Sequence, residues 1–152
     1  MMNEFFRPHI RPRRNRKSSG VRSLVQEHNV TVNDLIAPLF VMEKKGQKES
    51  IKSMPGQFRF GPDLLLKEVR ELDQLGVKCI CLFPAIDERK KNSKAQEAMN
   101  AHGLYPDMIR MIKSEVPGMS IMTDIALDPY SSDGHDGLVD RKTGKILNDE
   151  TL

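Results

Sequence analysis

Three apolar runs of strand length, separated by two helical segments, constrain this chain more than any other feature. The runs are Leu35–Val41, Val77–Phe83 and Ser120–Leu127. After the first, Pro62 takes a first helical position, with Leu64, Leu65, Val69, Leu72 and Leu75 following at helical spacing and Gly76 as the stop. After the second, Pro106–Glu115 carries Met108, Ile109, Met111 and Ile112 before Pro117-Gly118 breaks it. Strands that alternate with helices form a parallel sheet through right-handed crossovers, so the fold class is α/β. A full (β/α)8 TIM barrel takes about 250 residues, whereas this chain has 152. The expectation is therefore a truncated, incomplete barrel.

The remaining segments fill in around that pattern. Residues 21–29 predict a short helix capped by Ser18 or Ser19. Pro38 marks a strand start, bulge or edge. Residues 42–61, with Gly46, Pro55, Gly56 and Gly61, predict a long connection, and 87–103 a loop with a helical piece near Ala95–Met99. Gly137–Asp140 and Lys145–Leu147 predict a hairpin turning at Gly144, and Asn148 caps a helix with acids in its first turn. The domain division is a basic arm with a short helix over 1–33 and the barrel portion over 34–152.

Charge is concentrated at the start of the chain. Residues 1–20 hold Arg7, Arg11, Arg13, Arg14, Arg16 and Lys17 against Glu4, while the whole chain is +3. The rest of the chain is slightly acidic, so the basicity belongs to a tail. Three functions suit such a tail: nucleic-acid binding through phosphate neutralisation, an Arg-rich transit peptide, or an arm lying on another subunit. Pro8 and Pro12 oppose a continuous helix there, and composition alone favours a solvated tail. The chain has neither an 18-residue apolar stretch nor an apolar region after its amino terminus, which argues against a membrane span and a secretory signal. Two cysteines without a disulfide framework point to a reducing compartment.

Chemistry is concentrated in Thr123–Gly137, with Asp124, Asp128, Asp133, His135 and Asp136 where a strand gives way to a Gly-rich loop. Ionised carboxylates on a buried strand must be paired, hydrogen-bonded or metal-bound. Strand alternation puts Met122, Asp124, Ala126 and Asp128 on the barrel face, with Ile121, Thr123, Ile125 and Leu127 toward the helices. On an extended strand Asp124 and Asp128 lie about 13 Å apart, too far to share one ion. Asp136, from the loop, is the better partner for Asp128, with His135 and Asp133 nearby. The plainer reading of Asp128-Pro129 is a turn. Cys79 and Cys81 share a strand face and read as buried core thiols, a C-x-C metal pair being the lesser reading. His9, His28 and His102 read as surface histidines, and Met99, Met108, Met111, Met119 and Met122 as core filling. Arg89, Lys90, Lys91 and Lys94 read as a solvated basic loop.

The 123–137 run resembles the metal-loop region of delta-aminolevulinic acid dehydratase. So do Arg11-Pro12-Arg13-Arg14, Ile36–Val41, Ser53-Met54-Pro55-Gly56, Leu82-Phe83-Pro84 and Leu147–Thr151, in the same order. The resemblance implies that this chain is the N-terminal portion of a (β/α)8 TIM barrel, with an extended N-terminal arm, in an enzyme that condenses two molecules of 5-aminolevulinate into porphobilinogen, in tetrapyrrole and heme biosynthesis. It implies a homo-oligomer, usually an octamer, in which the arm wraps a neighbour, and thus neither a nucleic-acid nor a membrane partner. It places the protein in the cytoplasm, or the plastid for a plant-like source. Zinc-dependent members carry three cysteines where this chain has Ala126, Asp128 and Asp136; carboxylate oxygens suit Mg²⁺ and not zinc. By the same resemblance Asp124, Asp128 and Asp136 are catalytic, Asp128 and Asp136 the possible Mg²⁺ ligands, and Phe83 and His135 the substrate-binding residues.

The family's two Schiff-base lysines and the arginines that grip the substrate carboxylate lie in segments without a counterpart here. The expectation is a truncated or incompletely recorded synthase, inactive as 152 residues. Its rivals are a non-catalytic short product that docks on the full-length enzyme through its arm, and a nucleic-acid-binding protein with a degenerate barrel segment.

Overall fold

A computed structural model describes residues 12–152. Two compact units divide between Thr31 and Val32. In the first, a 3-10 turn over Pro12–Arg16 precedes helix α1, Ser19–Leu24. The Ser18 hydroxyl caps α1 by accepting from Val21 N at 3.2 Å. The helix buries none of its residues and ends well before Asn29, since a short helix without tertiary packing of its apolar side is marginal. The residues of the predicted arm before Pro12, including Arg7, Pro8, His9 and Arg11, lie outside the described residues.

The second unit is a five-stranded sheet in the order β2-β3-β1-β4-β5. Its strands are β1 (Ala37–Met42), β2 (Lys48–Ser50), β3 (Phe58–Phe60), β4 (Cys79–Ala85) and β5 (Ser120–Thr123). Strand β1 runs parallel to β3 and β4, β4 runs parallel to β5, and only β2 is antiparallel. Helices α2 (Pro62–Gln74) and α3 (Leu104–Glu115) pack on one face. Leu39, Val41, Ile80 and Leu82 meet Leu65, Val69, Met108 and Ile112 there, all buried. These alternate positions carry the period of two that a strand demands against one layer of helices.

Several sequence expectations need correction. The connection 42–61 contains the β2–β3 hairpin, whose strands are too short to show alternation. It is secured by Lys48, whose Nζ lies 4.0 Å above the Phe58 ring, and by Gly61, whose N donates to Gln47 O at 2.8 Å. Strand β4 continues through Pro84 to Ala85, since Val41 and Met42 still have parallel partners there. Strand β5 ends at Thr123, where pairing with Leu82 ends, and not at Leu127. Ile125 is consequently fully exposed rather than packed on helices, while Ile121 does join the core.

Of the predicted core methionines only Met108 and Met119 are buried; Met99, Met111 and Met122 are exposed. Cys79 and Cys81 are half-buried, because they point away from the helix-packed face. Leu75 is exposed past the last turn of α2, and Gly76 ends that helix at φ +92°. Helix α3 starts two residues before Pro106, which sits within the first turn where its missing N–H is unneeded. The Leu138–Leu147 hairpin closes on one bridge, Val139 to Ile146, with Gly144 at φ +71°. Helix α4 is Asn148–Thr151, and Leu147 rather than Asn148 occupies its cap position.

Candidate active site

The carboxyl ends of β1, β4 and β5 open onto a cleft of about 820 Å³, the place where parallel barrels build their sites. Phe40 and Phe83, register partners on β1 and β4, stack at 5.3 Å between centroids and form part of its wall. Glu43, Asp87, Asp124, Ala126 and Asp128 also face it.

Asp124 follows the last residue of β5. Its N is 3.4 Å from the hydroxyl of Tyr105, which itself donates to Leu82 O. Tyr105 reaches from α3 to the point where the β4–β5 ladder stops, so its hydroxyl supplies the contact the next rung would have made. Burial pushes its phenol up.

Asp128 lies in a turn, with Tyr130 N donating to Leu127 O at 3.0 Å and Ser131 N to the same oxygen at 2.9 Å. The turn reading of Asp128-Pro129 and the site reading therefore coexist at one residue. Because the strand has ended, the extended-strand separation of Asp124 and Asp128 does not apply. Asp136 Oδ1 accepts from Leu127 N at 2.9 Å and Asp128 N at 3.1 Å. Those two backbone donors hold its carboxyl below the usual range, with a smaller contribution from the Asp128 side chain. Desolvation, then the facing charge and hydrogen bond of Asp136, raise Asp128. The geometry thus joins Asp128 to Asp136 and places Asp124 and Phe83 on the same cleft. His135 is exposed and outside the cleft lining, acting on Asp136 only through its charge.

The donor set here is oxygen. Cys79 and Cys81 do not line the cleft, so no thiolate set suited to zinc faces it. Among the described residues no group of three His, Cys, Asp or Glu side chains is arranged for a metal. Two adjacent carboxylates fit Mg²⁺ in its water-rich mode, in which one or two protein oxygens suffice.

The rim is tied down by contacts that were hidden in the sequence. Arg89 forks onto Asp87, holding that carboxyl well below its ordinary range, and Lys91 meets Glu88 at 2.7 Å. Lys90 Nζ lies 2.7 Å from Glu43 Oε1 at the end of β1, close enough for an ion pair but without hydrogen-bond geometry, and 3.6 Å from Glu97. The predicted solvated loop is instead ion-paired at three of its four cations. Tyr130 packs with Ile86 and Ala95 beneath this rim, and burial pushes its phenol up to about 12. Of these, only Tyr130 carried a signal, as the lone aromatic within the acidic run.

The family model for delta-aminolevulinic acid dehydratase matches residues 9–152. The chain belongs to the delta-aminolevulinic acid dehydratase family. It is 43% identical over 143 residues to the delta-aminolevulinic acid dehydratase of Bradyrhizobium diazoefficiens, covering 94% of this chain and 40% of that protein. It is 46% identical over 146 residues to the chloroplastic delta-aminolevulinic acid dehydratase of Glycine max, covering 95% of this chain and 35% of that one. The crystal structure of the porphobilinogen synthase of Toxoplasma gondii, in complex with its reaction product porphobilinogen, superposes with a TM-score of 0.87. That match has 48% identity and covers 93% of this chain and 40% of that one. This chain thus spans some two fifths or less of these dehydratases, and its sheet is the corresponding part of an incomplete barrel.

Proposed function

We propose that these residues build one side of a porphobilinogen synthase site, which condenses two molecules of 5-aminolevulinate with loss of water. The observation that carries the reading is the cleft itself. In a chain of this family, Asp124 and Asp128 face one cavity at the carboxyl ends of parallel strands. Asp124 faces a substrate amine, while Asp128, raised by its surroundings when no ion is bound, acts either through water as a proton carrier or, ionised, as an ion ligand. Asp136 fixes the Asp128 backbone and is the positioning member of the pair. Asp128 and Asp136 would hold Mg²⁺, which supplies positive charge against two facing carboxylates; zinc has no ligand set in this proposal. Phe83 forms the apolar wall, and His135 contributes charge from outside.

The cleft lysines do not look like Schiff-base nucleophiles. Such a lysine needs an apolar pocket, whereas Lys44 meets Glu49 at 3.1 Å and Lys91 meets Glu88. The 152 residues alone are therefore proposed to form no porphobilinogen. The arm is proposed to assemble a homo-oligomer, an octamer by resemblance, supported by the exposure of Leu24, Val25 and Val30. A cytoplasmic site, or a plastid in a plant-like source, completes the proposal.

The test is porphobilinogen formation from 5-aminolevulinate, measured on the 152-residue chain and on the protein purified from its native source with its Asp124→Asn variant. The 152 residues are expected to form none, and a source protein that forms it is expected to lose about 10²-fold or more in the variant. Turnover by the 152 residues alone, or a variant with undiminished rate, would falsify the reading.

A further inference from the structure

We propose that Tyr105 is a positioning residue of the cleft: its hydroxyl sits inside the last rung between β4 and β5 and turns Asp124 out of the sheet. The inference rests on the proposed reaction, in which Asp124 faces a substrate amine, and deepens it by assigning what aims that carboxylate.

The parallel ladder fixes where the rung belongs. Ser120 N donates to Lys78 O at 2.8 Å, and an evenly spaced parallel ladder repeats that bond at every second residue. With Leu82 opposite Thr123, the amide of Asp124 comes opposite Leu82 O. The Tyr105 hydroxyl occupies this rung: it donates to Leu82 O and accepts from Asp124 N at 3.4 Å. One oxygen serves both backbone groups, and an atom inserted between two strands spreads them apart. Strand β5 ends at Thr123, and Asp124 turns from there into the lining of the cleft, which Tyr105 shares.

Tyr105 is held in that place. It stands on α3, whose Met108 and Ile112 are buried in the same core as Ile80 and Leu82, and it is itself 9% exposed. Its proton is committed to a carbonyl, so toward Asp124 the hydroxyl is an acceptor and a spacer, not an acid. Both bonds join residues of this chain and so do not depend on sequence beyond it. Leu82 is fully buried, and a buried carbonyl left without its donor is costly. Removing the hydroxyl therefore draws the Asp124 amide directly onto Leu82 O, adds a rung to β5 and pulls the carboxylate back from the cleft. A misplacement of about 1 Å is enough to cost about 10²-fold in rate.

The experiment is Tyr105→Phe, which keeps the ring and removes the oxygen. In the 152-residue chain, hydrogen exchange followed by NMR is expected to slow about tenfold or more at the Asp124 amide and to stay within about twofold at Met122. In the protein from its native source, porphobilinogen formation is expected to fall about tenfold or more with Tyr105→Phe alone. Added to Asp124→Asn, the same change should cost less than about twofold, because the hydroxyl acts only through that carboxylate. A tyrosine that merely supports the fold would slow both backgrounds alike. Circular dichroism checks the fold. Should Tyr105→Phe unfold, the parent chain carries the test through a nuclear Overhauser contact between the Tyr105 ring protons and the Asp124 amide. Unchanged or faster exchange at Asp124, equal losses in the two backgrounds, or no ring contact overturns the proposal. The wedge and the reaction fail separately. Turnover by the 152 residues alone sinks the reaction while exchange at Asp124 still decides Tyr105, and where the source protein forms no porphobilinogen that exchange decides it alone.

Discussion

At the scale of single residues, the Asp128–Asp136 pair has opposite signs built into one contact. Asp136 is lowered chiefly by two backbone amides, so the stability it contributes is present above the ordinary carboxylate pKa and is lost as pH falls through its lowered value. Asp128 is raised, so its contribution is present below the ordinary value and is lost as pH rises through its folded value. Replacing Asp136 by Ala is expected to lower the thermal midpoint at pH 7, with the difference from the unaltered chain fading under acid. Replacing Asp128 by Asn should leave the midpoint at pH 7 equal or higher, and the two chains should converge as pH falls below 4 or so. Thermal melts from pH 3 to 7 read both; a destabilised Asp128→Asn at neutral pH would show that its charge is compensated. The carboxylates themselves were legible as residues, since acids cluster in a short run. Their division of labour was not, because it depends on which backbone amides a turn aims at Asp136. Tyr105 was invisible for a related reason: it acquires its role from strands far away in sequence.

At the scale of elements, helices α2 and α3 were readable because their apolar positions repeat with helical spacing and a Pro near the start and a Gly or Pro-Gly at the end punctuate each. Strand β5 was overextended because Ile125 and Leu127 continue its apolar alternation, yet pairing stops with β4 at Thr123. Pattern records which face a residue would take; only the partner strand decides where the ladder ends. The short β2 and β3 strands fell inside a Gly- and Pro-rich stretch and left no periodic trace. Their attachment turns on Gly61, where an added Cβ would come 2.2 Å from Lys44 O. Gly61 has φ −64°, so its need is space and not backbone freedom. Gly61→Ala is expected to push the 44–47 turn away and cost about 1–3 kcal/mol by overpacking, read by urea denaturation. In the core, Leu65 is fully buried between α2 and the sheet, and Leu65→Ala should cost about 2–5 kcal/mol. If Gly61→Ala proves as stable as the parent, the 44–47 turn yields freely and the hairpin is not pinned there.

At the scale of the whole molecule, the sheet is finished on one face and open on the other. The helix-packed face is dry, whereas β5 has a partner on one side only, and Met122 and Ile125 present apolar surface. An unpaired edge flanked by apolar side chains is a template for another strand. The relatives extend well beyond the matched region, which covers 40% of their length. The 152 residues on their own should therefore self-associate through this edge, in addition to any assembly through the arm. Sedimentation velocity separates the two contributions. Deleting residues 1–20 removes arm-dependent species and should leave a concentration-dependent population. Met122→Lys combined with Ile125→Lys should remove that population, because lysine on an edge opposes strand addition. A chain that stays monomeric at high concentration without its arm would show that β5 is protected by its own twist and shortness. The open face would then be a surface that tolerates water, and the incomplete barrel a stable fold in its own right.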